Sequence, residues 1–424
     1  MAGGKGKRMS SLFSDIPKPM IPINGKPILQ YQIECLVKYH LRNIIIAIGY
    51  LGYKIKDYFK DGSNFGCSIS YYEEKEPLGS GGALYKIINE LDNDFLLING
   101  DIIFDIDFHR FIDFYHQTKA WAILAVHPNN HPYDSALLFI DHENKVTKWI
   151  NKEESRSYYK NMVNSGIHLL SKQLLLSFTH VSENIDLDRD ILKPCISTGK
   201  IFAYPTPEYI KDIGTPERYN QVSLDIAKGL IENRNLSNKQ KAIFIDRDGT
   251  LNKFNDFITK PDDFILIDGV SEAINNINNS GYLAIVITNQ PVIARGDCSI
   301  EELNLIHQKM ETDLGNDGAY IDDLFYCPHH PDKGFPGERP EFKINCSCRK
   351  PKPGLILSAA GKYNIDLQNS YMVGDDIRDI QAGISAGCIP ILLDKDLSKQ
   401  KLPNDLRYVK VYSNLLEFVK SCLL

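Results

Sequence analysis

Two aspartates spaced two residues apart, Asp246 and Asp248, close the apolar run Ala-Ile-Phe-Ile and are followed at once by Gly249 and Thr250. A strand ending in Asp-x-Asp-Gly-Thr projects both carboxylates from the carboxyl edge of a parallel sheet, where such folds bind ligands, and the glycine lets the chain turn away. One carboxylate so placed can attack phosphorus to form an aspartyl phosphate, while the other protonates the leaving oxygen and then activates water. Two like charges so close call for a cation. Mg²⁺ would be held by Asp246, by the backbone carbonyl of Asp248 and by a carboxylate from elsewhere. The run YMVGDDIRD supplies that carboxylate as Asp375, with Asp376 beside it as an assisting acid. A third apolar run, AIVITNQ, ends at Thr288 and Asn289, and CRKPKPG brings Arg349 and Lys350 to neutralise phosphoryl oxygens. A lone Asp-x-Asp would equally suit a solvated strand end or a helix cap; four such pieces in order point to phosphoryl chemistry.

Of the nine cysteines, Cys35, Cys67, Cys195, Cys298, Cys388 and Cys422 are scattered singly, whereas Cys327, Cys346 and Cys348 cluster with histidines. Cys327, His329, Cys346 and Cys348 offer three thiolates and one imidazole at Cys-x-His and Cys-x-Cys spacing, which suits closed, tetrahedral, structural Zn²⁺ in a reducing compartment. The zinc would staple a long loop that carries Arg349 and Lys350. His330 is expected as a bystander or substrate contact.

The first half offers different chemistry. MAGGKGKRM is a glycine-rich turn with Lys5, Lys7 and Arg8, able to present backbone N–H groups and positive charge to a triphosphate. Lys18 follows in PKPMIPINGKPIL, then a second glycine-rich segment, EPLGSGGAL, then LLINGD ending at Asp101, and later KDIGTPERY with Asp212. Two separated acids at strand ends would jointly hold Mg²⁺ on an α-phosphate.

The elements that must position these groups alternate. NIIIAIG, DFLLING and AWAILAV read as strands, with amphipathic stretches such as ILQYQIECLVKYH between them, which predicts parallel sheets covered by helices. A polar pause at 228–241 separates the halves, giving domains at 1–230 and 241–424 with a linker at 231–240. At 424 residues the chain exceeds one ordinary core. Its net charge of −6 gives no reason to expect nucleic acid, and no apolar run reaches a membrane span, so the expected setting is cytoplasmic with no membrane partner. Oligomeric state is left open by the sequence.

Over 241–424 the ordered motifs resemble the haloacid dehalogenase-like phosphohydrolases. That resemblance implies Asp246 as nucleophile, Asp248 as general acid and base, Thr288 as phosphate ligand, Lys350 as charge-neutralising lysine, and Asp375 as metal ligand. FIDRDGTLN, TNQPVIARG and CRKPKPG, with the cysteine cluster, are similar to D-glycero-D-manno-heptose 1,7-bisphosphate 7-phosphatases; zinc-bearing histidinol-phosphate phosphatases are the nearest competitor. Asn289, Arg295 and Arg349 are then substrate contacts. Where that family reads Asn-Gln-Ser-Gly, this chain has Asn289, Gln290, Pro291 and Val292, so the loop beside the phosphate is expected to differ in shape.

Over about 1–228 the motifs resemble the sugar-1-phosphate nucleotidyltransferases, closest in style to heptose-1-phosphate guanylyltransferases. The resemblance implies an α/β domain with a mixed sheet. Arg8 and Lys18 would stabilise phosphate charge, and Asp101 and Asp212 would hold metal. Gly3, Gly4, Gly6, Gly81 and Gly82 would line the nucleotide, Asn164 and Gly166 the sugar. Lys152 is carried over despite Asn151 and Glu153, which depart from the family's Glu-Lys-Pro. In this fold a strand launches the glycine-rich loop, yet Met1 directly precedes Ala2 and Gly3; Met1 is expected as that strand's last residue, with translation starting upstream. The fusion favours a heptose over histidinol phosphate, because removing the 7-phosphate yields the acceptor that the first half would activate with GTP. The alternative is a histidinol-phosphate phosphatase fused to a non-catalytic binding module.

Overall fold

The computed structural model describes residues 1–3, 13, 15–178, 184–254, 256–397 and 402–423. Gly4, Gly6 and Arg8, with Lys5 and Lys7, lie outside the described residues. The chain is α/β throughout and divides into two compact units. The first comprises Met1–His127, Leu138–Trp149 and Asn164–Asn235; the second comprises Pro128–Leu137, Ile150–Val163 and Leu236–Leu424. Among the described residues no helix is long and apolar enough to cross a membrane.

The second unit is built on a six-stranded, wholly parallel sheet. Its strands run Asp323–Cys327, Tyr282–Asn289, Lys241–Ile245, Tyr371–Gly374, Ile389–Leu393 and Lys410–Tyr412 in spatial order. Strand alternation sends Ile243 and Ile245 into one core, with helices Val270–Asn278, Ile300–Asn316 and Leu415–Leu423, and sends Ala242 and Phe244 into the other, with helices Gly354–Tyr363 and Ile377–Ala386. Both faces are covered, so these strands read as unbroken apolar runs. The chain leaves Lys241–Ile245 towards one edge and returns on its other side at Tyr371–Gly374. The two strands therefore frame the topological switch point, the crevice where open α/β sheets bind ligands.

The first unit holds a mixed six-stranded sheet in the order Ile201–Pro205, Ala122–His127, Val163–Ser171, Leu137–Ile140, Val146–Ile150, with Asp94–Ile98 pairing antiparallel to Val163–Ser171. Asn43–Ile48 and Ser68–Glu73 pair parallel, and Ile102–Asp105 and Tyr209–Asp212 antiparallel. Met1 and Ala2 lie between two of these strands: Ala2 N donates to Ala47 O at 2.8 Å, the Met1 amine to Ile98 O at 2.8 Å, and Gly100 N to Met1 O at 2.8 Å.

Candidate active sites and metal centre

At the switch point one ammonium serves two acids. Lys350 Nζ lies 2.7 Å from Asp246 Oδ1, 2.7 Å from Asp379 Oδ1 and 2.8 Å from the carbonyl of Ile287. The sequence presented Asp376 as the assisting acid, and here the structure differs. Asp376 is the N-cap of helix Ile377–Ala386, bound by Arg378, while Asp379 closes the capping box and turns its other oxygen to the lysine. Gly-Asp-x-x-x-Asp at the start of a helix was the available signal, since residues in the first turn of a helix can point back at the strand end that precedes it.

Carboxylate oxygens of Asp246, Asp375 and Asp379 all lie within 4.8 Å of one another. Burial, then Asp379, pushes the Asp246 carboxyl up, with Lys350 opposing; burial likewise pushes Asp379 up. Burial pulls Lys350 down, but Asp246 and Asp379 more than reverse it and the lysine stays charged. Three clustered acids against one cation leave excess negative charge out of water, and an all-oxygen donor set of this kind fits Mg²⁺. Gly249 is required twice over: its φ is +85°, and a Cβ would meet Asp375 Oδ2 at 2.3 Å.

The Asp248 side chain points into a different set of partners. Arg247, its guanidinium fully buried, reaches Asp248 Oδ1 at 2.7 Å and Oδ2 at 2.9 Å, Gln290 Nε2 donates to Oδ2 at 2.8 Å, and Asn252 Nδ2 donates to Oδ1 at 3.1 Å. Gln290 also donates to Thr288 Oγ1 at 2.9 Å, so the Thr288 hydroxyl and the Asp248 carboxylate share one amide. Asn289, expected on the substrate, is engaged elsewhere. Its side chain donates to Lys350 O at 3.1 Å and accepts from Lys350 N at 3.0 Å, which positions the lysine. Pro291 and Val292 do not distort the loop by strain; Pro291 is in helical conformation at the start of helix Val292–Arg295, and Val292 is buried. A proline there forgoes an N–H that the first turn leaves unused.

Arg295 stacks between Phe257 and Phe335, its Cζ at 4.4 and 4.6 Å from their centroids. Lys343 lies 4.4 Å from the same Phe335 ring, His330 meets it edge-on, and Arg349 donates to His329 O at 3.2 Å. Burial first, then Arg349 and other cations around it, holds His330 below its ordinary value, and burial with Arg378 and Arg295 lowers Arg349. Arg295, Arg349 and Lys343, the last paired with Glu338 at 3.2 Å, together give this region positive potential suited to an anion.

Cys327 Sγ is 3.5 Å from Cys346 Sγ and 3.3 Å from Cys348 Sγ; Cys346 and Cys348 are 3.1 Å apart, and His329 Nδ1 is 3.6 Å from Cys327 and 3.3 Å from Cys348. Tetrahedral Zn²⁺ with bonds of about 2.3 Å to sulfur needs ligand separations of about 3.8 Å, so four soft donors at these distances fit that ion. His330 stands outside the four.

In the first unit Lys18 Nζ bonds Asp101 Oδ2 at 2.5 Å, and Arg218 grips Asp212 at 2.8 and 2.9 Å. The antiparallel register pairs Asp212 with Ile102, and Ile213 N donates to Asp101 O at 2.9 Å, so backbone pairing brings the two acid-bearing positions together. Their oxygen donors suit a hard cation. Asn164 accepts from Gly166 N and from the buried His168 ring, and donates to Asp188, which burial and then Asp186 push up to about 7. Gly166 has φ +77°, and a Cβ would strike Asn99 Nδ2 at 2.4 Å. Gly3 faces Glu74. Gly81 and Gly82, expected against nucleotide, lie buried within helix Gly79–Lys86; a Cβ on Gly81 would meet Ile185 Cγ2 at 2.8 Å, so this glycine permits close packing of the following segment. Lys152 is exposed beside Glu153 and falls in the second unit, whereas Asn164 and Gly166 fall in the first.

The Nucleotidyl transferase family matches residues 1–229, and the family described as "HAD-hyrolase-like" matches residues 347–417. D-glycero-beta-D-manno-heptose-1,7-bisphosphate 7-phosphatase of Yersinia pestis is 42% identical over 145 residues, 34% of this chain and 75% of that protein. Its counterpart in Escherichia coli K12 is 41% identical over 145 residues, 34% of this chain and 74% of that protein. A solved D,D-heptose 1.7-bisphosphate phosphatase from B. bronchiseptica, complexed with magnesium and phosphate, is 35% identical, covering 43% of this chain and 98% of its own, with a TM-score of 0.38. Motif order, strand-end acids and sequence identity thus converge on one statement: the chain belongs to the nucleotidyl transferase family through its first half and is joined through its second to a haloacid dehalogenase-like phosphatase of the heptose-1,7-bisphosphate 7-phosphatase family.

Proposed function

We propose that the second unit hydrolyses the 7-phosphate of D-glycero-D-manno-heptose 1,7-bisphosphate and that the first unit transfers a nucleotidyl group, from GTP, to the heptose 1-phosphate so formed. The observation that carries the phosphatase reading is the Asp246–Lys350–Asp379 cluster at the switch point of a parallel sheet, beside the Asp248 carboxylate. Asp246 attacks phosphorus and becomes the aspartyl phosphate; Asp248, released from Arg247 and Gln290, protonates the departing sugar oxygen and then takes a proton from water. Lys350 and Thr288 neutralise and orient phosphoryl oxygens. Asp246, Asp375 and the carbonyl of Asp248, with Asp379 adjoining, would hold Mg²⁺, which would supply the remaining countercharge. The aromatic-stacked Arg295, with Arg349, Lys343 and His330, supports a second anionic group on the substrate, as a bisphosphate has and a simple monoester lacks.

In the first unit a sugar phosphate oxygen attacks the α-phosphorus and pyrophosphate leaves. Lys18 and Arg8 balance phosphate charge, Asp101 and Asp212 hold Mg²⁺, and Asn164 and Gly166 bind the sugar. The cysteine cluster holds structural Zn²⁺, and the cytoplasm keeps the other cysteines reduced. Pairing supports the heptose: the phosphatase product is the transferase acceptor. The test is mass spectrometry of products from heptose 1,7-bisphosphate, Mg²⁺ and all four nucleoside triphosphates. GDP-heptose is the expected product; release of phosphate with no nucleotide-sugar would overturn the transferase half, and another base would overturn GTP.

A further inference from the structure

Residues 128–137 and 150–163 are numbered within the stretch matched by the Nucleotidyl transferase family, yet they pack with the phosphatase. The two segments are stapled to each other: Asn161 Nδ2 donates to Asn129 O at 2.7 Å and its Oδ1 accepts from Asn129 N at 3.2 Å, while Arg156 donates to the carbonyls of Pro132 and Ser135 at 3.0 and 3.1 Å. Together they sit on helix Ile300–Asn316. Asn161 N donates to Glu311 Oε2 at 2.7 Å and Tyr159 N to Thr312 Oγ1 at 3.0 Å, with Glu311, Thr312, Tyr159 and Asn161 all buried. Gly315 completes the seat, because a Cβ there would meet Pro132 Cγ at 2.7 Å and the Tyr159 hydroxyl at 3.1 Å.

A carboxylate buried by its neighbours is costly unless they hydrogen-bond it, and a glycine inside a helix costs about 1 kcal/mol against alanine; the Asn161 N–H answers the first, and the second leaves the room that Pro132 and Tyr159 fill. Here the cover is residues from the other half of the sequence. The same helix packs Leu303, Ile306 and Met310 into one core with Ile245 and Leu251, which flank Arg247, the residue that grips Asp248. We propose that residues 128–137 and 150–163 form a docking arm on helix Ile300–Asn316 that completes the phosphatase, so that the hydrolase depends on segments numbered within the transferase half. The arm fixes the helix, the helix backs Arg247, and Arg247 sets where the general acid rests. The activity readout rests on the phosphatase reading; the seat itself does not.

The test uses the full chain with Gly315→Ala, Pro132→Ala and the two combined. Alanine is the better helix former, so an uncovered helix would gain from Gly315→Ala. A seated arm would instead be pushed off. Expected are at least 10-fold faster hydrogen exchange at the Tyr159 and Asn161 amides and an approximately fivefold loss in phosphatase kcat with little change in KM, both restored to within about threefold by adding Pro132→Ala. An insoluble Gly315→Ala chain made soluble by Pro132→Ala would count equally in favour. Exchange and kcat unchanged by Gly315→Ala, or a loss that Pro132→Ala does not restore, would overturn the arm. Retained phosphate release in Asp246→Asn would instead sink the phosphatase reading while leaving the exchange result standing.

Discussion

Lys350 stands between two buried carboxylates and is itself shielded from solvent, so the site is poised on one side chain. Replacing it with methionine leaves Asp246 and Asp379 facing each other unscreened, and breaking a buried pair in this way costs about 3–5 kcal/mol. A lowered melting temperature together with loss of phosphate release is the expected outcome. On the proposed mechanism Asp246 is the nucleophile, and Asp246→Asn is expected to reduce phosphate release roughly a thousandfold or more while sparing pyrophosphate release by the other unit. The two acids of the Asp375–Asp379 segment that were hardest to tell apart separate cleanly. Asp379→Asn weakens the Lys350 clamp and should lower kcat by roughly 100-fold. Asp376→Ala removes a helix cap, worth about 1 kcal/mol, together with the exposed Arg378 pair, and should leave kcat within about twofold. Asp246, Thr288, Lys350 and Asp375 were legible because each closes an apolar run or a distinctive motif. Asp379 was not, because its role depends on how the first helical turn is rotated over the sheet.

The loop between Cys327 and Lys350 has one short 3₁₀ turn, at Pro340–Phe342, and therefore takes its shape from its staples. Cys348 sits two residues before Lys350. Cys348→Ser, or a zinc chelator on the parent chain, is expected to lower zinc content, melting temperature and phosphatase kcat together, followed by metal analysis, thermal melts and phosphate release. The arm has its own signature in pH. Burial raises Glu311 from 4.5 to about 7, with Asp323 reinforcing and Lys160 and the Asn161 N–H opposing. The folded chain thus holds a proton that the unfolded chain gives up, so stability falls as pH rises from about 4.5 to about 7, by at most about 1.4 kcal/mol per pH unit. Glu311→Gln should flatten that slope in denaturant titrations across the window. Strand ends were readable as elements because burial writes apolar runs into the sequence. The arm was not: its contacts are backbone amides meeting a glutamate and a threonine more than a hundred residues away, and no periodicity records such a meeting.

Across the whole chain, the two chemistries should answer to different acids. Asp101→Asn is expected to abolish formation of nucleotide-heptose while heptose 1-phosphate accumulates at the parent rate, measured by product mass spectrometry over time. The twofold character of the chain was visible in the order of its motifs, and the last division between the compact units falls after Asn235. What the linear order concealed is that the 24 residues of Pro128–Leu137 and Ile150–Val163 belong with the later unit. A gene cut between codons 235 and 236 would therefore not yield two intact enzymes. It would leave the arm on the upstream product and an uncovered helix on the downstream one, so the two open reading frames would have to be translated in the same cell and find each other. A phosphatase gene moved alone to a new host would arrive without the segments seated on helix Ile300–Asn316.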